Sequence, residues 1–196
     1  MTTSAVKYPQ YHKPDWFESY TGRKVYPTIP EASDVVVDDI AHALSLCCRY
    51  AGHCKTFYSV GVHSLFVYHM VSAHTDDLNT LKYALMHDAA EAYIHDITRP
   101  MKVSPDMEWY RDLEKQWETW IAIALDIDLS RVDFQLVKEA DNHALKIEAR
   151  TLVHSGGRDW NIPETRPFPG KVVHYTTPEA ARDAFLAVWS ELNGRH

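Results

Sequence analysis

The chain has 196 residues, 45% of them hydrophobic and 24% charged, and a net charge of −7 with its histidines neutral. That length and balance suit one well-filled core, read as a single domain over 1–196. They exclude the broad basic surface that a nucleic-acid polymer or an anionic membrane would need, so any phosphate-bearing ligand has to be met by a local basic pocket.

Cys47, Cys48 and Cys54 are odd in number and clustered, without the paired spacing of a zinc ribbon or a disulfide framework. They are read as reduced and structural. The stretch Met1 to Trp16 has no apolar signal core, and no run approaches about 18 consecutive apolar residues, so a cytoplasmic location is expected.

In chain order, residues 1–37 are punctuated by Pro9, Pro14, Gly22, Pro27 and Pro30 and interleaved with aromatics such as Tyr8, Tyr11 and Trp16. They form an irregular arm with room for a short strand pair. Asp38-Asp39 opens a helix through Ala51, stopped by Gly52. A second helix is predicted over Val60 to Ala73 and a third over Thr80 to Ile94, stopped near Pro100. Pro105 begins a fourth, in which Trp109, Leu113, Trp117, Trp120 and Ile121 form a core-facing stripe. Ser130-Arg-Val-Asp133 reads as a capping box for a fifth helix that continues to about Val153. Residues 154–176 are a Pro-rich loop with one extended candidate at Lys171 to Tyr175, and Thr177-Pro178-Glu179 starts a last helix ending near Gly194. Five to six main helices with hardly a strand indicate an all-α helical bundle.

The chemistry centres on His87-Asp88, an imidazole and a carboxylate inside the apolar run Tyr83 to Ile94, with Glu91 one turn later. Burying a carboxylate costs several kcal/mol unless it is paired or metal-bound, so the pair asks for a cation. Two ligands hold a divalent ion poorly. The further donors are His63 on the second helix and Asp141 on the fifth, the latter set among Val137, Ala140, Ala144 and Leu145. Two histidines and two carboxylates suit a divalent transition ion that keeps positions open for water and substrate oxygens: Zn, Mn, Co, Ni or Fe.

The order His63, His87-Asp88, Asp141, each in a predicted helix, resembles the HD-domain metal-dependent phosphohydrolases. Arg49-Tyr50 stands 14 residues before His63, Glu91 four after His87 and Asp96 nine after it. This pattern is similar to the small HD-domain 5′-deoxynucleotidases and the phage-type deoxynucleoside triphosphate hydrolases. Arg99-Pro100-Met-Lys102 and Lys138 resemble substrate-contacting positions of the latter group. The likeness spans roughly residues 38–153 and implies a compact HD-domain bundle. It departs at Tyr50, where the deoxynucleotidases carry tryptophan, and at Val62, where they carry an acid.

The resemblance implies metal ligation by His63, His87, Asp88 and Asp141, with Glu91 positioning or deprotonating a water. Asp96 would protonate the departing 5′ oxygen or help orient the assembly. Arg49, Tyr50, Pro100, Lys102 and Lys138 would bind a deoxyribonucleotide, and three cations around one metal favour a triphosphate. The expected activity is therefore a dNTP triphosphohydrolase, dATP being one candidate substrate. A 5′-deoxynucleotidase acting on dNMPs and a non-catalytic regulatory HD domain are the alternatives, and a homo-oligomer is expected because small relatives commonly form one. Each residue also has a plainer reading. His63 is compatible with a satisfied core histidine, Glu91 with an ion-pair partner, Asp96 with a helix end, Arg49 with a surface pair to Asp38 or Asp39, Tyr50 with core packing, and the lysines with solvated surface.

Overall fold

The structure is a computed structural model that describes residues 15–194; Tyr8, Tyr11, Pro9 and Pro14 of the expected arm lie outside the described residues. The described part of the arm supplies the only sheet among these residues, an antiparallel pair of β1 (Phe17–Glu18) and β2 (Lys24–Val25). It is fastened to the first helix, α1 (Val37–Leu46), by Asp39. The buried Asp39 carboxylate accepts hydrogen bonds from the Ser19 hydroxyl at 2.9 Å, the Thr21 amide at 2.7 Å and the Thr21 hydroxyl at 3.0 Å. A carboxylate with that many donors is satisfied in the interior.

Helix α1 ends at Leu46, five residues short of the expected Ala51, because the next residues pair elsewhere. Arg49 N donates to Tyr58 O, Val60 N donates to Cys47 O, and Cys48 bridges Ser59. These long-range bonds replace the i→i−4 bonds that a continued helix would make. The intervening turn, Arg49–Gly52, is left-handed at Tyr50 (φ 58°), Ala51 (φ 51°) and Gly52 (φ 81°).

Helix α2 (Val60–Ser72) starts where expected, with the Ser59 hydroxyl accepting from Val62 N at 3.3 Å. It is buried on nearly every side, the mark of a central helix. Gly61 allows close approach to α1: a Cβ there would stand 3.3 Å from the Leu44 carbonyl carbon and the Ser45 nitrogen. Around α2 pack α1, α3 (Leu78–Met86), α7 (Phe134–Leu152) and α8 (Pro178–Gly194).

The expected third helix, Thr80 to Ile94, is two pieces: α3 and α4 (Glu91–Ile94), joined by a turn at 87–90. His87 Nδ1 donates to Ala84 O at 2.9 Å, occupying the carbonyl that the Asp88 amide would use in a continuous helix. The following amides bond three residues back instead, Ala89 to Met86 and Glu91 to Asp88. His95, at φ 69°, then ends α4, so His87 and His95 do not share one helix face.

Beyond it lies a short helix, α5 (Arg99–Lys102), with Pro100 in its first turn, and then α6 (Glu108–Ala124), preceded by a 3₁₀ turn at Pro105–Met107. Leu113, Trp117 and Ile121 of α6 are buried as expected, but Trp109 is 45% exposed and Tyr110 takes its place, donating to His95 O at 2.6 Å. Trp117 is fully buried; it stacks on Tyr93 of α4 at 4.0 Å and donates its indole N–H to Pro27 O at 2.9 Å. The cap of α7 is Asp133, which accepts from Leu136 N, while Ser130 belongs to the preceding 3₁₀ turn under Asp128. No strand forms at Lys171 to Tyr175; that segment runs over the core, with Val172 and Tyr175 packed on it. The described chain is mostly helical, and none of its helices is long and apolar enough to cross a membrane.

Candidate metal centre

His63 lies within the first turns of the central helix and is fully buried. Its Nδ1 donates to Glu148 Oε1 on α7 at 2.7 Å, so in the neutral ring the lone pair is on Nε2. His87, at the C-terminal end of α3, reaches the same tautomer by another route. Its Nδ1 must donate, because its partner is the Ala84 carbonyl, and Nε2 is again left bare. Both Nε2 atoms are buried, and neither makes a hydrogen bond among the described residues.

Asp88 completes the group. Its Oδ2 is 3.3 Å from His87 Nε2 and 3.6 Å from His63 Nε2. Asp141 Oδ1, on α7, stands 3.2 Å from His63 Nε2. His63, His87 and Asp88 offer ligand atoms that all lie within 4.8 Å of one another. Bonds of roughly 2.0–2.2 Å to a shared ion separate donors by about 3–3.4 Å, so these spacings fit a cation with modest adjustment. Two buried, hydrogen-bond-free imidazole nitrogens facing two carboxylates are the observation that matches this donor set to a metal. Asp141 stands at the edge of the three-residue group, held against His63 on one oxygen and against Lys138 Nζ at 2.7 Å on the other.

Glu148 is a site residue beyond those that the sequence predicts. It lies two helical turns beyond Asp141 and is wholly buried. Besides His63, it accepts from the Tyr50 hydroxyl at 3.0 Å and faces Arg49 Nε at 3.2 Å. Burial pushes its carboxyl up, but the His63 and Arg49 charges outweigh that and hold it at about 2. Burial and Arg49 push His63 down, while Glu148 and Asp141 bring it up to about 9, so an ion bound at Nε2 has to displace a proton there near neutral pH. In Asp88 and Asp141 the rise from burial is overcome by the histidines, so both carboxyls stay below the usual range. The spacing signal for Glu148 was present: an acid recurring on the Asp141 face, beside Ala144, Ala149 and Leu152.

Arg49 and Tyr50 come from the left-handed turn and not from a helix. Arg49 Nη1 is 3.7 Å from Asp88 Oδ2, and its guanidinium lies over the Tyr50 ring at 5.4 Å. No pairing of Arg49 with Asp38 or Asp39 forms among the described contacts; Asp39 of α1 instead accepts from Ser19 and Thr21 of the hairpin. Tyr50 spends its hydroxyl on Glu148, and its ring also meets Trp160 at 5.8 Å.

Glu91, at the start of α4, is buried, and its Oε2 has no hydrogen-bond partner among the described residues. Burial, then Asp88 and Asp96, push its carboxyl well above the ordinary value. Lys102 Nζ stands 3.7 Å from Glu91 Oε1 but is bound more tightly by Glu114 Oε1 on α6, at 2.7 Å. Asp96 is half-buried in the loop after α4, outside the three-residue ligand group. Pro100 is exposed in α5, and Lys138 is 62% exposed, reaching the site through its pair with Asp141. Glu118, also on α6, lies in the same acidic surroundings, and burial with Glu114 and Asp88 raises it to about 7.

No family model matches the chain. It is 34% identical over 153 residues to the uncharacterized protein YfdR of Escherichia coli K12, an alignment covering 78% of this chain and 80% of that protein. It is 24% identical over 182 residues to an uncharacterized protein of Rhodobacter capsulatus, covering 88% of this chain and 92% of that one. At the identity and coverage of the first alignment, the chain belongs to the same protein family as YfdR.

Proposed function

We propose that the protein is a metal-dependent phosphohydrolase of the HD-domain type acting on deoxyribonucleotides. The observation that carries this reading is the pair of buried imidazole Nε2 atoms, bare of hydrogen bonds among the described residues, in a group with Asp88 whose ligand atoms lie within 4.8 Å of one another. The resemblance of the His63, His87-Asp88, Asp141 order to HD-domain enzymes supplies the reaction class.

His63, His87, Asp88 and Asp141 would hold a divalent transition ion: Zn, Mn, Co, Ni or Fe. When bound, such an ion supplies Lewis acidity toward a phosphoryl oxygen and lowers the pKa of water. Glu91 orients the attacking water and takes its proton through its buried Oε2, which no described residue hydrogen-bonds. Arg49 contacts the phosphate through the planar fork of its guanidinium, already aligned by Glu148. Asp96 protonates the departing 5′ oxygen or orients the groups around it.

The first reading of the substrate is a dNTP, cleaved to deoxynucleoside and triphosphate with Lys102 and Lys138 meeting the outer phosphates. A specific observation favours a second reading, a 5′-monophosphatase. Both lysines already hold carboxylates at 2.7 Å, so cation for a long phosphate chain has to be released from Glu114 and Asp141. Incubation of the Mn- or Co-supplemented protein with the four dNTPs and four dNMPs, resolving nucleoside, phosphate and triphosphate, tests both. Nucleoside with intact triphosphate establishes the first reading, and nucleoside with phosphate from dNMPs alone establishes the second. Silence on both panels with metal bound rejects turnover of these nucleotides and revives the reading as a regulatory metal-binding domain.

A further inference from the structure

We propose that Cys48 and Cys54 are a modification site: a thiol pair that closes reversibly into a disulfide across the Arg49–Tyr50 turn. Their Sγ atoms are 3.6 Å apart, against about 2.05 Å in a disulfide, so closure takes a small rotation of the side chains or a small tightening of the loop. The backbone has already brought them together. Three successive left-handed residues, Tyr50, Ala51 and Gly52, fold the chain back on itself, and the Cys54 thiol donates to Arg49 O at 3.8 Å.

Access differs sharply among the three cysteines. Cys48 and Cys54 are half-buried, and the residues between and beyond them, 51–53 and 55–57, are exposed, so a small disulfide can reach either sulfur. Cys47 is 7% exposed and packed in the core against His95 Nδ1 at 3.4 Å, and burial pushes its thiol up to about 11. It stays a thiol and serves as the internal control.

The chemistry balances with a low-molecular-weight disulfide as oxidant. The thiolate of one cysteine attacks the oxidant, forming a mixed disulfide as the oxidant's S–S bond breaks and one small thiol leaves. The second cysteine then attacks the sulfur of the first, forming the Cys48–Cys54 bond and releasing the second small thiol. The protein gives up two electrons and two protons, and the oxidant takes both. Where thiols are kept reduced, disulfides of this kind are usually transient and redox-sensing. Because Arg49 and Tyr50 are enclosed by the bond and meet Asp88 and Glu148, the redox state of the pair is tied to the candidate centre. That consequence rests on the phosphohydrolase reading; the bond itself does not.

The test is mass spectrometry of the full chain after native incubation with oxidised glutathione, followed by alkylation and peptide mapping. The expected result is a loss of the mass of two hydrogen atoms, a linkage of Cys48 to Cys54, reversal by dithiothreitol and alkylation of Cys47. Cys47→Ser should still form the bond, whereas Cys48→Ser and Cys54→Ser should each stop at a single glutathione adduct. Stable glutathione adducts on the unaltered chain, bonds only between chains, or a linkage through Cys47 would overturn the proposal. None of these readouts depends on turnover, so inactivity toward nucleotides leaves the test intact.

Discussion

The two histidines of the candidate centre are held by different kinds of partner. His63 belongs to a helix-seated half, where α2 and α7 place His63, Asp141 and Glu148 on facing surfaces and a buried side chain sets the imidazole. His87 belongs to a turn-built half, where α3 stops, the chain turns through 87–90, and a backbone carbonyl sets the imidazole. The first arrangement is open to single substitutions away from the ligand. In the second, the orienting group belongs to the main chain, so only the ligand itself can be removed. Outer hydrogen bonds to metal-bound histidines commonly decide affinity by an order of magnitude or more.

The largest effect should come from the ligands, one from each half. His87→Ala and Asp141→Ala are each expected to abolish retention of the ion through dialysis, read by elemental analysis; retention by either variant would remove that residue from the ligand set. Glu91→Ala should keep the ion and lower kcat by roughly 10²–10⁴-fold in the product assay. Metal loss in that variant equal to the ligand variants would make Glu91 structural.

Trp117→Ala should cost about 3–5 kcal/mol of stability, read as a fall in Tm, because it removes the stacked partner of Tyr93 under the turn-built half. A change near zero would mean that α4 is held without it. Glu148→Gln should weaken metal binding by about 10–100-fold in calorimetric titration while the chain stays folded. Unchanged affinity would show that the helix-seated half needs no charged partner and that the two histidines are equally insulated.

The smallest effect concerns pH. Glu118 is raised from 4.5 to about 7, so the folded chain binds more protons than the unfolded one across that window. Its contribution is therefore unfavourable above pH 7 and disappears below about 4.5. By linkage the difference is on the order of 1–3 kcal/mol after allowance for partial solvation. Glu118→Gln should raise the Tm of chelator-treated protein at pH 8 and leave it unchanged at pH 4.5. A Tm gain independent of pH would point to packing instead of charge.

The same division governs what the sequence disclosed. In the helix-seated half, His63 and Asp141 stand out because polar groups interrupt apolar helical repeats, and a helix keeps local spacing and spatial neighbourhood in step. Glu148 was equally placed for detection, two turns beyond Asp141, but its role appears only when its three partners from α2 and the Arg49–Gly52 turn converge on it. In the turn-built half the dipeptide His87-Asp88 was legible, while the break beside it was not. That break depends on His87 taking the Ala84 carbonyl, a bond that the apolar repeat of Tyr83 to Ile94 does not encode. Tyr50 and Ala51 likewise give no sign of a left-handed turn, since neither is glycine and the conformation follows from Cys47, Cys48 and Arg49 pairing with residues 58–60. Lys102 reads as a free cation until α6 brings Glu114 to it.

The most direct measurement is metal content by native mass spectrometry, comparing the chain with its His63→Ala and His87→Ala variants after exposure to Mn, Co, Ni, Zn or Fe and dialysis. One ion per chain retained in the parent and lost in both variants is the expected result. An ion retained equally by all three proteins, or by none, would contradict a centre built on the two bare imidazole nitrogens.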